Sequence, residues 1–283
     1  MIKFLLTHTR IHPLFCLILV AGAATGYMWE TFSAFFIVLI HEWGHAAAAY
    51  AFGWKVVRIE LLPFGGVARL DDDEDHPFWQ EAAVIIAGPL QHLPLALLAL
   101  ALSHASFWGV SQQHAFLQEN AALLLFNLLP IWPLDGGRLL HVALQMRYPF
   151  KAAYHKALIF SFFALGTVSF CLLFLEPYSF NLWIVLVFIA LSIYKERRAV
   201  AFHFLRFLLA TARRPARQPI TRRLNVQSDA PLPYLFAAYY RQSEHQVHVE
   251  GTPIVLDGKR LLSDFFSGRC AGQTIADCNA PRR

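Results

Sequence analysis

Residues 31–52 read TFSAFFIVLIHEWGHAAAAYAF. Their composition is that of a membrane-spanning helix, yet the middle of the stretch holds His41, Glu42 and His45. On a helix, positions i and i+4 lie one turn apart on the same face, so His41 and His45 can both reach a single metal ion while Glu42 stands beside it. This is the His-Glu-x-x-His spacing of a zinc site. A carboxylate at membrane depth costs about 2.5–3.5 kcal/mol on insertion scales, so Glu42 points to function rather than to a chance polar residue.

The rest of the chain has the composition this stretch implies. Of 283 residues, 57% are hydrophobic and only 15% charged, with a mean hydropathy of +0.43. Soluble domains are nearer about 45–50% apolar, so the chain reads as a multi-span membrane protein. The net charge of +5 does not indicate nucleic acid, because the basic residues follow membrane topology instead of forming a groove. Cys16, Cys171, Cys270 and Cys278 form no CxxC pair and read as free thiols. Lys3 and Arg10 precede an apolar run with no evident cleavage site, which reads as a retained first span.

The expected fold is an all-α polytopic membrane protein of six transmembrane helices, one of them broken. It carries a small β-hairpin insertion and a small cytoplasmic α+β C-terminal domain. Spans are expected at 12–28, 31–52, 81–103, 114–146, 154–175 and 178–194, the third kinked at Gly88-Pro89. The fourth is interrupted by NLLPIWPLDGGR, whose Pro130, Pro133, Gly136 and Gly137 cannot continue a regular helix. Between 53 and 80 the alternation of Val57, Ile59 and Leu61 with Arg58 and Glu60 around Pro63-Phe64-Gly65-Gly66 predicts a β-hairpin, and the acidic run 71–75 a solvated loop. Residues 1–194 thus form the membrane domain, 195–223 an amphipathic linker helix and 224–283 a small cytoplasmic domain.

The basic residues orient the chain. With both termini cytoplasmic, Lys3, Arg10, Lys55, Arg58, Arg69, Arg147, Lys151, Lys156 and every basic residue after Tyr194 lie inside, and the outside loops hold none. Catalytic zinc takes three protein ligands and leaves one position open. His41 and His45 supply two, and Asp135, read as the sole acid within a later span, is the expected third. Zinc so held lowers the pKa of a water toward about 7, and Glu42 can take that proton and pass it to a leaving amine. The residues therefore describe a peptide-bond hydrolase working inside the membrane.

His41-Glu42-Trp43-Gly44-His45 in one span and N-x-x-P-x-x-P-L-D-G (Asn127 to Gly136) in a later one resemble the site-2 protease family of intramembrane zinc metalloproteases. The likeness covers about residues 31–145, including Phe64-Gly65-Gly66 and Ala87-Gly88-Pro89. It implies one zinc ion per chain on His41, His45 and Asp135, Glu42 as catalytic base, and a substrate held by Asn127, Pro133 and the hairpin at Gly65 and Gly66. The hairpin role has a physical basis, since a strand edge can add an extended peptide through main-chain hydrogen bonds. Asn127 can bond that backbone or a developing oxyanion, or alternatively only tie two helices together.

The overall layout is similar to a sporulation subfamily that releases the pro-sequence of a membrane-associated pro-sigma factor, pro-sigma-K. That resemblance implies the mother-cell membrane around the forespore, inhibitory membrane protein partners and a CBS-like tail that responds to ATP. A homo-oligomer stays open. Alternatives are a protease of the same family with another regulatory substrate, a metal transporter, and a non-catalytic regulator. His12, His92, His104 and His114 read as interfacial residues at span ends or in loops, and His141 as an outer neighbour of the site or an interfacial residue.

Overall fold

A computed structural model describes residues 5, 7, 9–11, 13–62, 65–70, 76–105, 108–176, 178–213, 220–253, 255–269 and 274–275. Pro63-Phe64, the acidic run 71–75, Cys270 and Cys278 therefore lie outside the described residues. The chain is mostly helical and divides into two compact units, one from residues 1–72, 76–139 and 164–189, the other mainly from 140–163 and 190–283.

In the first unit, strand β1 (Thr9–Ile11) leads into helices α1 (Pro13–Thr25) and α2 (Met28–Ala51). Both helices end on a glycine in the left-handed region, Gly26 with φ 81° and Gly53 with φ 79°. After α2, the Gly53 amide donates to the Tyr50 carbonyl at 3.0 Å and the Trp54 amide to the Ala49 carbonyl at 2.9 Å. This paired bonding satisfies the last carbonyls of the helix and reverses the chain. Strands β2 (Val56–Leu62) and β3 (Gly65–Leu70) follow as the expected hairpin, with Leu61 opposite Gly66 and Leu62 opposite Gly65. The addition is β1, which pairs parallel to β2 and completes a sheet of order β1-β2-β3. Three residues are too short a run to show strand alternation.

Helices α3 (Phe78–Leu90) and α4 (His92–Ala101) together span the expected third membrane segment. The break falls at Gln91 rather than at Gly88-Pro89, and Pro89 lies inside α3. Pro94, near the start of α4, has no amide to donate to the Leu90 carbonyl, so the helical bonding is interrupted at this junction. Helix α5 (Val110–Asn127) and helix α6 (Asp135–Arg147) flank the broken segment as expected. Glu119 also lies on α5, where the Ser33 hydroxyl donates to its carboxylate, so Asp135 is not the sole acid within the later spans. Ile37, Leu95, Ala99 and Phe116 pack together between α2, α4 and α5, and Ala46, Ala49, Trp54, Val56 and Val84 form a second cluster.

Helices α7 (Phe150–Leu175) and α8 (Phe180–Arg213) complete the helical part. The stretches Met28–Ala51, Phe78–Ala101 and Phe150–Leu175 are long and apolar enough to cross a membrane. Along α7, Phe160, Phe162, Phe163, Phe170 and Phe174 are exposed, the surface of a helix solvated by lipid. Helix α8 runs for 34 residues through position 194 without a break.

The second unit contains a three-stranded sheet of β4 (Thr221–Val226), β5 (Glu244–Val249) and β6 (Val255–Asp257), with β5 central. Helices α9 (Leu232–Ala237) and α10 (Gly258–Phe266) accompany it. Leu232, Leu235, Phe236, Tyr239, Val247 and Leu262 are fully buried, and the Asp257 carboxylate caps α10 by accepting from the Lys259 amide at 3.0 Å. The tail thus combines strands and helices, the α+β character expected of it. Polar contacts also tie this sheet region to the helices of its own unit. Arg241 donates to Gln145 Oε1 at 2.9 Å, and the Phe150 amide donates to the Tyr239 carbonyl at 2.9 Å.

Candidate metal centre

Helix α2 places His41, Glu42 and His45 on consecutive turns, and all three side chains are buried. The His41 and His45 Nε2 atoms lie 3.1 Å apart. Asp135, the first residue of α6, brings Oδ2 to 3.0 Å from His41 Nε2 and 3.2 Å from His45 Nε2. Residues about 90 positions apart in sequence thus converge within the first unit, the distant one delivered by the broken segment. That segment turns back tightly. A methyl on Gly136 would meet the Leu128 carbonyl, and one on Gly137 would lie 2.4 Å from the Ile131 carbonyl carbon, so only glycine lets α6 start there.

Close packing of α2 on α3 sets the other side. A Cβ on Gly44 would come 2.5 Å from the Ala87 carbonyl oxygen, and one on Gly88 would overlap the His45 imidazole. Two glycines therefore allow the helices to approach until the ring of His45 packs against α3 at Gly88. There His45 Nδ1 is 2.8 Å from the Val84 carbonyl oxygen, which can only accept. His45 Nδ1 must carry the proton, which leaves the Nε2 of a neutral ring with its lone pair toward Asp135.

His41 is held in a similar way through a longer chain. Its Nδ1 lies 3.1 Å from His92 Nε2, and His92 Nδ1 lies 2.8 Å from Asn120 Oδ1. His92 is 1% exposed, which corrects its reading as an interfacial residue. The available signal was a titratable side chain within a span, four residues after the glycine that contacts His45. Asn120 carried no comparable signal, because its partner is 28 residues away in sequence.

These assignments permit a test of metal fit. Asp135 Oδ2 is buried and accepts no hydrogen bond among the described residues. With both imidazoles neutral and protonated at Nδ1, the Nε2 atoms facing it offer lone pairs, and three electron-rich atoms point at one another. Such a convergence is repulsive unless a cation sits between them. Donor atoms at 2.0–2.1 Å around tetrahedral zinc are about 3.3 Å apart, close to the 3.0–3.2 Å observed. Two imidazoles and one carboxylate are a zinc donor set with one position left over. The Glu42 carboxylate reaches within 4.8 Å of both histidine ligand atoms.

The other expected site residues fall elsewhere. Asn127 ends α5 and donates from Nδ2 to the Leu123 carbonyl at 3.0 Å, a bond within its own helix rather than between helices. Pro133 lies in the broken segment between α5 and α6, and Gly65 and Gly66 open β3. His141 accepts from Gln145 Nε2 at 3.0 Å and meets the Tyr154 ring edge-on at 4.4 Å.

Buried within apolar helices, this arrangement defines a metallohydrolase of the membrane interior. Comparison with known proteins agrees. The model of peptidase family M50 matches residues 31–119 and 103–169. Stage IV sporulation protein FB of Bacillus subtilis (strain 168) is 33% identical over 288 residues, covering 98% of this chain and 98% of that protein. A zinc metalloprotease of Methanocaldococcus jannaschii is 36% identical over 117 residues, 40% of this chain and 34% of its own length. The solved structure of the site-2 protease from the same archaeon superposes with a TM-score of 0.50 at 26% identity, covering 66% of this chain and 89% of that one. The chain belongs to peptidase family M50, the site-2 proteases, and is an intramembrane zinc metalloprotease.

Proposed function

We propose that the chain cleaves a membrane-associated pro-sigma factor during sporulation, in the manner of the pro-sigma-K type of processing. The supporting observation for substrate class is the 33% identity to stage IV sporulation protein FB, which covers 98% of each chain. In this reading residues 1–194 are a six-span protease domain with both termini cytoplasmic, 195–223 a linker and 224–283 a small cytoplasmic domain. The location is the mother-cell membrane around the forespore, where inhibitory membrane proteins would hold the enzyme in check. ATP binding by the tail has no supporting feature among the described residues and is not part of the proposal.

His41, His45 and Asp135 would hold one zinc ion, and the convergence of their three ligand atoms within 3.0–3.2 Å supports this assignment. Zinc supplies a Lewis acid and acidifies a water at neutral pH. Glu42 accepts the proton of the attacking water on its carboxylate and returns it to the amine nitrogen as the peptide bond breaks. The substrate must be extended for its carbonyl to be attacked. Strand β3 is an edge of its sheet, and its main chain at Gly65 and Gly66 is free of side-chain bulk, so it can add a substrate strand. Asn127 and Pro133 would help hold substrate, the amide Oδ1, which is not used in the bond to the Leu123 carbonyl, accepting from the substrate backbone.

Co-expression with a membrane-associated pro-sigma factor tests the substrate class. A shortened sigma factor should accumulate with the intact chain and not with Glu42→Gln. Cleavage of an unrelated membrane-tethered regulator, with the pro-sigma factor untouched, would instead establish the alternative of another regulatory substrate.

A further inference from the structure

We infer that His92 and Asn120 form a positioning pair that fixes His41 in the one tautomer able to bind metal, with Asn120 setting the direction of the whole chain. The inference rests on the zinc reading of the site. It begins at the far end, where Asn120 Nδ2 lies 2.9 Å from the backbone carbonyl oxygen of His92. A carbonyl accepts and cannot donate, so the amide nitrogen must be on this side and Oδ1 on the other. Reversing the amide would set its oxygen against the His92 carbonyl oxygen, two acceptors with no proton between them.

Each later step then has one solution. Asn120 Oδ1 can only accept, so His92 Nδ1, 2.8 Å away, carries the proton. A neutral His92 protonated at Nδ1 has a bare Nε2, which must accept from its neighbour at 3.1 Å. That neighbour, His41 Nδ1, is therefore protonated, and the Nε2 of His41 is left bare toward His45 and Asp135. The chain Asn120, His92, His41 thus does for one histidine what the Val84 carbonyl does directly for His45.

His92 and Asn120 are both buried, at 1% and 3% exposure, so water cannot substitute for either partner. Their role is to orient, since neither touches the position where substrate would react. Partners of this kind fix the ring and raise its basicity, and losing one typically weakens metal affinity about 10–100-fold.

The test uses the full chain in detergent, with zinc affinity measured by chelator competition. His92→Leu removes the acceptor for His41 Nδ1 and should weaken zinc binding about 10–100-fold. His92→Gln keeps an acceptor oxygen of similar reach and should stay within about threefold of wild type. Asn120→Leu frees His92 to take the other tautomer and should also weaken binding. Equal affinities for His92→Leu and His92→Gln would overturn the inference, because a packing role makes no distinction between them. Should a variant fail to fold, nitrogen-15 NMR of the wild-type histidines decides: His92 must carry its proton on Nδ1, and a proton on Nε2 would contradict the chain. Wild-type protein that binds no zinc would overturn the metal reading itself, a result separable from zinc-binding protein with indifferent variants.

Discussion

Gly88 on α3 lies against the imidazole of His45 on α2 with no room for a methyl group between them. The ring cannot retreat without losing the 2.8 Å bond from Nδ1 to the Val84 carbonyl. Gly88→Ala should therefore swing Nε2 away from Asp135. Displacing a reacting group by about 1 Å costs on the order of 100-fold in rate. Zinc content and reporter cleavage in the purified variant are the measurements, and wild-type values for both would show that the helices separate without consequence.

The broken segment gives a second prediction. Gly137 packs on the backbone of Ile131 and Trp132, which cannot rotate away as a side chain would. Gly137→Ala should lower stability by about 1–3 kcal/mol through overpacking and shift Asp135, so zinc should be lost together with thermal stability. Gly166 on α7 is the control, because nothing lies within 4 Å of the Cβ position there. Gly166→Ala should leave the midpoint unchanged or raise it slightly. A similar drop for both variants would argue against a special role for the turn.

Asp135→Asn keeps the shape of the side chain and removes its charge. The carboxamide can present nitrogen as a donor toward His41 and His45, which satisfies their lone pairs without a cation. Zinc affinity should fall by more than the roughly 10–100-fold typical of an outer partner. Retained affinity would remove Asp135 from the ligand set.

The tail makes a prediction about pH. His245 accepts from the Tyr240 amide at 2.9 Å through Nε2 and stacks on Tyr239 at 4.2 Å. Burial, helped by the Arg222 guanidinium, pushes its pKa down to about 4. An unfolded tail would protonate this histidine near its ordinary value of about 6.5. Between these two values the unfolded state binds more protons, so tail stability is complete above about 6.5 and is lost as pH falls toward about 4. Hydrogen exchange over residues 232–262, corrected for the intrinsic rate, should show protection declining across that window. His245→Gln keeps an acceptor for the Tyr240 amide and should flatten the decline; an unchanged decline would place its cause elsewhere.

What could be read from sequence, and what could not, follows the range of the interactions. His41, Glu42 and His45 are one local helical pattern. Asp135 was legible because prolines and glycines announce irregular backbone where a span should be. The β2–β3 hairpin showed its alternation directly. His92 was misread because a histidine near a span end has an ordinary explanation, and only the packing of α2, α4 and α5 reveals its partner at His41. Gln91 rather than Gly88-Pro89 ends α3. Pro94 carried the signal for that junction, since its missing amide leaves the Leu90 carbonyl without a helical donor.

The central claim is that Glu42 moves the proton at a zinc site built by His41, His45 and Asp135. Its most direct test is purified Glu42→Gln, assayed for bound zinc and for cleavage of a membrane-tethered reporter. Glu42→Gln is predicted to retain about one zinc per chain and to yield no product, since glutamine fills the same space but cannot accept the proton. Product formed by the zinc-loaded variant would contradict the account.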